Sequence, residues 1–223
     1  RQEMKLETRT MQILKNFAMI NPSMLFREGT VQSTIAPQKT ILARTTIKES
    51  IPKEFAIFDL SRFIGVLSLF NEPELDFEEN RVLITQSRQK VDYTFADPEL
   101  VVAPPNKTPN VQDPEVNFGL SAECLQSTMR ALGALQSTHI MIEGDGQTIT
   151  VGAGKPADPT SDTFKIEVGT TSHTFKFAFK ADNVKILPGD YDVAISSKNI
   201  AYLKSNDVEY WIMADTNHSK FDG

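Results

Sequence analysis

The chain has 223 residues, 40% of them hydrophobic, enough to bury two cores of ordinary size without help from disulfides or metal. Its one cysteine, Cys124, excludes an intramolecular disulfide and fits a reducing compartment, and no apolar run approaches the roughly 20 residues of a membrane span. A net charge of −6, taken as a sum, argues against a nucleic-acid partner, so a functional reading depends on where the charges lie.

No signal peptide is expected ahead of Met4. Arg1-Gln2-Glu3 reads as an addition in front of it, and the protein is expected to be soluble and intracellular. From there the periodicity predicts a first helix around Leu14, Phe17 and Ala18. At about 100° per residue, Met11, Leu14, Phe17 and Ala18 fall on one side. Arg9, Gln12 and Asn16 fall on the other, with Lys5 if the turn extends back and with Lys15 at the edge. Alternating segments follow, with Gly29 as a turn residue, and then a second helix from Leu60 to Phe70. That helix is apolar around most of its circumference, leaving Ser61, Arg62, Gly65 and Ser68 as a narrow polar stripe.

A hairpin ends in Val91-Asp92-Tyr93-Thr94-Phe95, after which Pro98, Pro104, Pro105, Pro109 and Pro114 make residues 98–114 an extended connector. A third helix, capped by Ser121, buries Cys124, Leu125, Thr128, Leu132 and Leu135 and shows Gln126, Arg130, Gly133 and Ala134. Turn residues Gly144-Asp145-Gly146 join two strands, and Gly152 to Asp162, with two prolines, reads as a flexible tip. Its Gly152-Ala153-Gly154-Lys155 lacks the spacing and the following Ser/Thr of a phosphate loop. A fourth, short helix is predicted from Ala181 to Ile186, stopping before Pro188-Gly189, and Asn206-Asp207 turns the last hairpin.

Several of these passages occur twice. Lys53-Glu54-Phe55-Ala56-Ile57-Phe58, Asn71-Glu72-Pro73-Glu74-Leu75-Asp76 and Val91 to Asp97 return as Phe175-Lys176-Phe177-Ala178-Phe179-Lys180, Ile186 to Asp192 and Val208 to Asp215. The spacing of about 120 residues is too long for a solenoid and right for a duplicated domain. The predicted domains are 1–97 and 115–223, joined by the connector 98–114.

Charge is segregated by element. In the four predicted helices the acids stand at the start, Glu7, Asp59, Glu123 and Asp182, where they complement the helix dipole. Beyond that first turn the charges are Arg9, Lys15, Arg62, Arg130 and Lys185, all basic. Most other acids, among them Glu72, Glu74, Glu78, Glu79, Asp97 and Glu115, lie in strands, turns or the connector. Nothing credible as an active site accompanies them. His139, His173 and His218 have no apparent nucleophile or partner, Cys124 reads as a small buried hydrophobe, and Asp76, Glu78 and Glu79 read as a solvated hairpin face. No cofactor is expected.

Leu14-Lys15-Asn16-Phe17-Ala18, Phe58-Asp59-Leu60-Ser61-Arg62-Phe63-Ile64-Gly65-Val66-Leu67-Ser68-Leu69 and Val184-Lys185-Ile186-Leu187-Pro188-Gly189-Asp190-Tyr191 resemble, in order and spacing, the sliding clamps of large tailed myoviruses. The resemblance covers nearly the whole chain from Met4, with departures chiefly at Gln32 to Lys39 and Gly152 to Asp162. It implies an α+β DNA-clamp fold, a duplicated domain with helices on one side of antiparallel sheets, assembled as a homotrimeric ring around double-stranded DNA. The partners it implies are a DNA polymerase C-terminal peptide and a clamp loader ATPase, in the cytoplasm of an infected bacterial host, with no membrane. Lys5, Arg9, Lys15, Arg62, Arg130, Lys180 and Lys185 would face the DNA.

Two other classes stay open at this point. A virion structural or tail-associated protein could also form rings from duplicated β-rich domains, but its helices would have no reason to be selectively basic. An enzyme would need Asp76, Glu78 and Glu79 to bind a metal.

A last expectation comes from the two copies of the final strand. Val91, Tyr93 and Phe95 share one face of the first; in the second, Val208, Tyr210 and Ile212 face inward, so Glu209, Trp211 and Met213 point outward as an exposed apolar patch. The resemblance sets the connector beside this strand, and Val101, Val102, Pro104, Pro105, Trp211 and Met213 are expected to form the pocket for the polymerase peptide.

Overall fold

A computed structural model describes residues 4–223, so Arg1, Gln2 and Glu3, read above as an addition, lie outside the described residues. The chain divides into two compact units, one up to Asn106 and one from Lys107 to Gly223, and the division falls inside the proline-rich segment.

The first unit opens with helix α1 (Thr8–Ile20), which buries Ile13, Leu14, Phe17 and Ile20 and exposes Gln12, Lys15 and Met19. The buried stripe centres on Ile13 and Phe17. Asn16, three residues after Ile13 and four before Ile20, is therefore carried into the interior (5% exposed) and leaves the polar side where periodicity places it. The helix has no side-chain cap at Glu7. Instead Glu49 reaches over from strand β3 (Ile41–Ile51) and accepts from the Glu7 N–H at 2.5 Å and the Thr10 hydroxyl at 2.6 Å.

Strand β3 forms a hairpin with β2 (Gly29–Ile35), which Gly29 enters at φ +102°, a conformation that disfavours any side chain. Strand β1 (Met24–Phe26) pairs antiparallel with β4 (Phe55–Ile57), so Phe26 meets Phe55 in stacked rings 4.7 Å apart. Asp59 then caps α2 (Leu60–Leu67), accepting the Arg62 N–H at 3.0 Å. This helix stops before the expected Phe70. The Ser68 hydroxyl bonds back to the Ile64 carbonyl at 2.8 Å, and the next two amides, Leu69 and Phe70, reach only three residues back, tightening the turn until it ends. Strands β5 (Glu74–Phe77), β6 (Arg81–Gln86) and β7 (Gln89–Thr94) form an antiparallel meander with β7 at its edge.

In the second unit, β8 (Val116–Leu120) leads to α3 (Ala122–Ala134), capped twice: Ser121 accepts the Cys124 N–H at 3.1 Å and Asp190 the Ala122 N–H at 2.7 Å. Leu125 and Thr128 are buried, whereas Cys124, Leu132 and Leu135 are only partly covered. Strands β9 (His139–Asp145), β10 (Thr148–Gly154), β11 (Phe164–Thr170), β12 (Thr174–Lys180) and β16 (Lys220–Phe221) form an antiparallel sheet in the order β11-β10-β9-β12-β16. Strands β13 (Tyr191–Ser196), β14 (Ile200–Lys204) and β15 (Val208–Met213) form a meander whose first strand pairs with β8. The core lies between these layers, where Leu125 and Ile142 meet Phe118 and Leu203.

The duplication is structural. A helix of 13 residues precedes a strand in each unit, and β1 with β4 answers β9 with β12. The hairpin β2–β3 answers β10–β11, and β5–β6–β7 answers β13–β14–β15. One element differs. Where α2 stands in the first unit, the second has only a 3-10 turn, Ala181–Asn183. Asp182 and Asn183 favour turns over helix interiors, and Pro188 biases Leu187 toward extended backbone, so the predicted fourth helix does not propagate.

Candidate nucleic-acid interface

The helix faces carry the cations that the charge pattern singles out. Lys15 on α1, Arg62 on α2 and Arg130 on α3 are exposed and form no ion pair among the described residues, and the same holds for Lys180 at the end of β12. Strand cations are mostly neutralised at close range. Arg81 pairs with Glu78 at 2.7 Å and Asp92 at 3.2 Å, Lys90 with Asp92 at 3.4 Å, Lys165 with Glu143 at 2.7 Å and Lys220 with Asp222 at 2.9 Å. Lys176 and Lys204 are strand lysines without such a partner.

Three predicted positions differ from expectation. Lys5 precedes α1 and forms a 2.6 Å ion pair with Glu72, a contact that holds the Glu72 carboxyl below the usual carboxylate range. Arg9 is half-exposed and shares a 3.4 Å hydrogen bond with Gln12. Lys185 lies in irregular chain after the 3-10 turn, half-buried and engaged, so it is not on a helix face. Lys5, Arg9 and Lys15 nonetheless line one cleft of about 650 Å³ between the start of α1 and the end of α2, with Ser68 and Asn71 on the far side.

The connector residues expected in the peptide pocket, Val101 to Pro105, belong to the first unit. Val101 is 8% exposed and Val102 44%, while Pro104 is buried and Pro105 open. Two side chains that sequence reasoning missed hold this stretch. Asn21 donates its Nδ2 to the carbonyls of Ile35 (3.0 Å) and Val102 (3.1 Å), and Arg27 donates to the Pro104 carbonyl at 3.2 Å. The local signal for Asn21 was its place at the helix end; its distant partner had none.

In the second unit, Trp211 is not exposed. Alternation puts it on the expected face of β15, opposite Tyr210 and Ile212, but it is 5% exposed, and the Tyr202 ring, its register partner on β14, lies 5.0 Å away. The expected patch reduces to Met213, 39% exposed, beside the half-buried Tyr202 and Glu209. Tyr202 donates its hydroxyl to Glu209 at 2.8 Å.

The histidines are also better partnered than they read. His139 Nε2 bonds to Asp215 at 2.8 Å, Nδ1 to the Thr138 hydroxyl at 2.7 Å, and His218 packs edge-on at 5.6 Å. Thr138 is exposed, but His139 (8% exposed) and the Asp215 side chain (7%) are covered, and their bond fastens the last loop to β9 instead of meeting a substrate. Among the described residues no group of three His, Cys, Asp or Glu could hold a metal, and Glu78 is engaged by Arg81. No helix among them is long and apolar enough to cross a membrane.

Comparison with known proteins gives this arrangement a lineage. Residues 5–103 match a family model described as DNA polymerase processivity factor, and residues 117–216 one described as gp45 sliding clamp, C terminal. The curated sliding clamp of Vibrio phage KVP40 is 33% identical over 219 residues, covering 95% of this chain and 99% of that protein. The sliding clamp of Escherichia phage RB69 is 32% identical over 227 residues, covering 96% and 99%. Among solved structures, the A. fulgidus PCNA bound to the C-terminal region of FEN-1 superposes with a TM-score of 0.69 at 13% identity, covering 92% of this chain and 94% of that one. The Helicobacter pylori beta clamp bound to a DNA ligase peptide gives 0.65 at 13%, covering 96% and 67%. With both halves matched in order, close relatives over nearly the full length and the clamp fold in each unit, the chain belongs to the sliding-clamp family of DNA polymerase processivity factors.

Proposed function

We propose that three copies of this chain, a DNA sliding clamp and not an enzyme, close head to tail into a ring that encircles duplex DNA and tethers the replicative polymerase. Residues 1–97 and 115–223 serve as the two clamp domains and 98–114 as their connector. The observation that carries the reading is the exposure of Lys15, Arg62, Arg130 and Lys180 without ion pairs, in a chain of net charge −6. Such cations attract phosphates without reading sequence, and acidic strands elsewhere keep DNA from adhering outside the hole. Contacts of this kind are loose enough to slide, so topology rather than affinity retains the ring.

Closure uses the open sheet edges. Strand β7 bounds its meander and β11 bounds the five-stranded sheet, so β7 of one copy meets β11 of the next, and each copy supplies one edge of each kind. A bulge in the β10–β11 pairing at Ile149/Thr150 confines regular pairing to the Phe164–Glu167 side of β11. For the polymerase C-terminal peptide the first unit offers the exposed Val102, with Val101, Pro104 and Pro105 shaping its connector, and the second unit offers Met213, with Trp211 supporting its strand from beneath. A clamp loader ATPase opens the ring, in the cytoplasm of the infected host.

Sedimentation equilibrium at micromolar concentration tests the assembly, with a mass near three times 24.9 kDa expected. A monomer or dimer at every concentration would overturn it. Retention on circular DNA with rapid loss after linearisation would confirm topological binding, and equal loss from both would refute it.

A further inference from the structure

The loop between β10 and β11 belongs to neither the helix faces nor the sheet edges, and it is one of the two stretches read above as departing from the clamp pattern. It reads as a flexible tip, yet it is fastened by its own hydrogen bonds. The Asp158 N–H donates to the Lys155 carbonyl at 2.9 Å, and Asp158 accepts from the Thr160 N–H at 3.0 Å and its hydroxyl at 2.7 Å. Folded this way, residues 155–163 stand over the face of the five-stranded sheet that turns away from α3. In β9, Ile140 and Ile142 point to the core with Phe179 and Phe177, so Met141 and Glu143 point the other way with Ala178 and Lys176.

A cavity of about 200 Å³ opens between loop and sheet. Met141 lines it at 7% exposure, with Pro156 and Pro159 from the loop. Gly154 forms part of the floor, where a Cβ would meet Thr163 at 3.5 Å and Met141 at 3.6 Å in ordinary contact. Five charged groups ring it. Lys165 and Glu143 neutralise each other at 2.7 Å, and Asp158 is turned to Thr160. Asp158 keeps its charge and attracts Lys155, so three lysines face two carboxylates and the lining carries one net positive charge, with Lys155 and Lys176 outside any close ion pair among the described residues. In the first unit the β2–β3 hairpin that answers β10–β11 turns through only residues 36–40, against residues 155–163 here.

We propose that this pocket is a second docking site, for a short acidic peptide segment of another protein. One large apolar side chain of the peptide seats over Met141, and its carboxylates lie against Lys155 and Lys176. The cavity holds a single large side chain, its floor and prolines are apolar, and the uncompensated charge at its rim is positive. The pocket adjoins the β11 edge proposed for ring closure, since Phe164 and Lys165 line it, but its lysines Lys155 and Lys176 lie off that edge, and sedimentation reads ring closure separately from peptide binding.

The test uses the full chain and a fluorescein-labelled peptide, Asp-Glu-Leu-Glu-Asp, followed by anisotropy. Saturable binding is expected with a dissociation constant on the order of 0.1–1 mM. The double variant Lys155→Glu/Lys176→Glu, with both changes at the surface, should weaken it by at least about tenfold, and replacing the peptide's Leu by Ser should do the same. Lys15→Glu/Arg62→Glu should leave it unchanged. Three results would overturn the proposal: no saturable binding, equal binding by the Ser peptide, or loss of binding in the Lys15→Glu/Arg62→Glu protein with none in the double lysine variant.

Discussion

Asn21 and Val102, 81 residues apart, are joined by a 3.1 Å hydrogen bond from the Asn21 amide to the Val102 carbonyl. The same Nδ2 donates to Ile35, and the Asn21 Oδ1 accepts the Ser23 N–H at 2.9 Å, so while the Asn21 N–H ends α1 on the Phe17 carbonyl, its buried side chain turns the chain into β1 and fixes the connector. Asn21→Ala strands two carbonyls at once. A loss of about 2–3 kcal/mol is expected in urea unfolding, with a weaker grip on the polymerase peptide through a loosened Val102. Asn21→Asp, which keeps the acceptor but loses the donor, should cost at least as much; an unperturbed midpoint in either variant would show that the connector is held elsewhere.

Charge reversal separates the helix cations from the rest. Lys15→Glu, Arg62→Glu and Arg130→Glu should each weaken DNA retention while changing stability by no more than about 0.5 kcal/mol, since these side chains are exposed and form no ion pair among the described residues. Lys180→Glu, at the end of β12, should also weaken retention but cost more stability, because its charge helps hold the Asp215 carboxylate. Each lost phosphate contact should flatten the salt dependence by roughly 0.9 in the slope of log K against log salt. Lys185→Glu is expected to cost more stability, being half-buried and engaged. Glu79→Lys, an exposed change in the β5–β6 turn, is the control, and an equal loss from it would refute the division between helix and sheet faces.

The positions that sequence read well are those where local chemistry leaves one answer. On α2, only Ser61, Arg62, Gly65 and Ser68 interrupt the apolar surface, so the exposed stripe had no alternative. Ser121 announces α3 by the cap it makes. Misreadings occur where a distant contact overrides the local pattern. Asn16 counts as polar in any periodicity, yet its neighbours Ile13, Phe17 and Ile20 carry it inward. Alternation put Trp211 on the right face of β15, but what covers that face includes Tyr202 from another strand. His139 and Asp215 are 76 residues apart, and nothing near either of them marks the other.

Burial of Trp211 changes what its removal should do. Trp211→Ala empties a packed site beside Tyr202, and a destabilisation of about 3 kcal/mol or more is expected from chemical unfolding, so lost peptide binding in that variant would not by itself locate the pocket. Met213→Ser is the cleaner probe, because Met213 is 39% exposed and its change should cost little stability. Trp211, the only tryptophan, serves instead as reporter. Its emission should shift when the polymerase peptide binds beside Met213, and an unchanged spectrum under conditions where calorimetry detects binding would put the peptide elsewhere.

The His139–Asp215 pair sets the acid limit of the second unit. Burial alone would raise the Asp215 carboxyl. The hydrogen bonds from His139 and from the Asn217 N–H, with the positive charge of Lys180 nearby, outweigh it and hold the group below its ordinary 3.8. A carboxyl that releases its proton more readily folded than unfolded adds stability that is complete above the unfolded value and disappears as pH falls through the folded one. Glu115 acts in the same direction, since burial again opposes but the Ser197 hydroxyl and N–H hold its carboxyl down. Thermal midpoints measured between about pH 3 and pH 7 should therefore drop below about pH 4. Asp215→Asn should lose about 1.5–3 kcal/mol at neutral pH, where the charge-assisted bond to His139 is made. It should also melt with a shallower acid slope than the parent, the remainder belonging to Glu115. An acid slope identical to the parent's would mean that the pair does not control acid unfolding, and that the loop carrying Asp215 is held chiefly by the backbone bond from its N–H to Ala178.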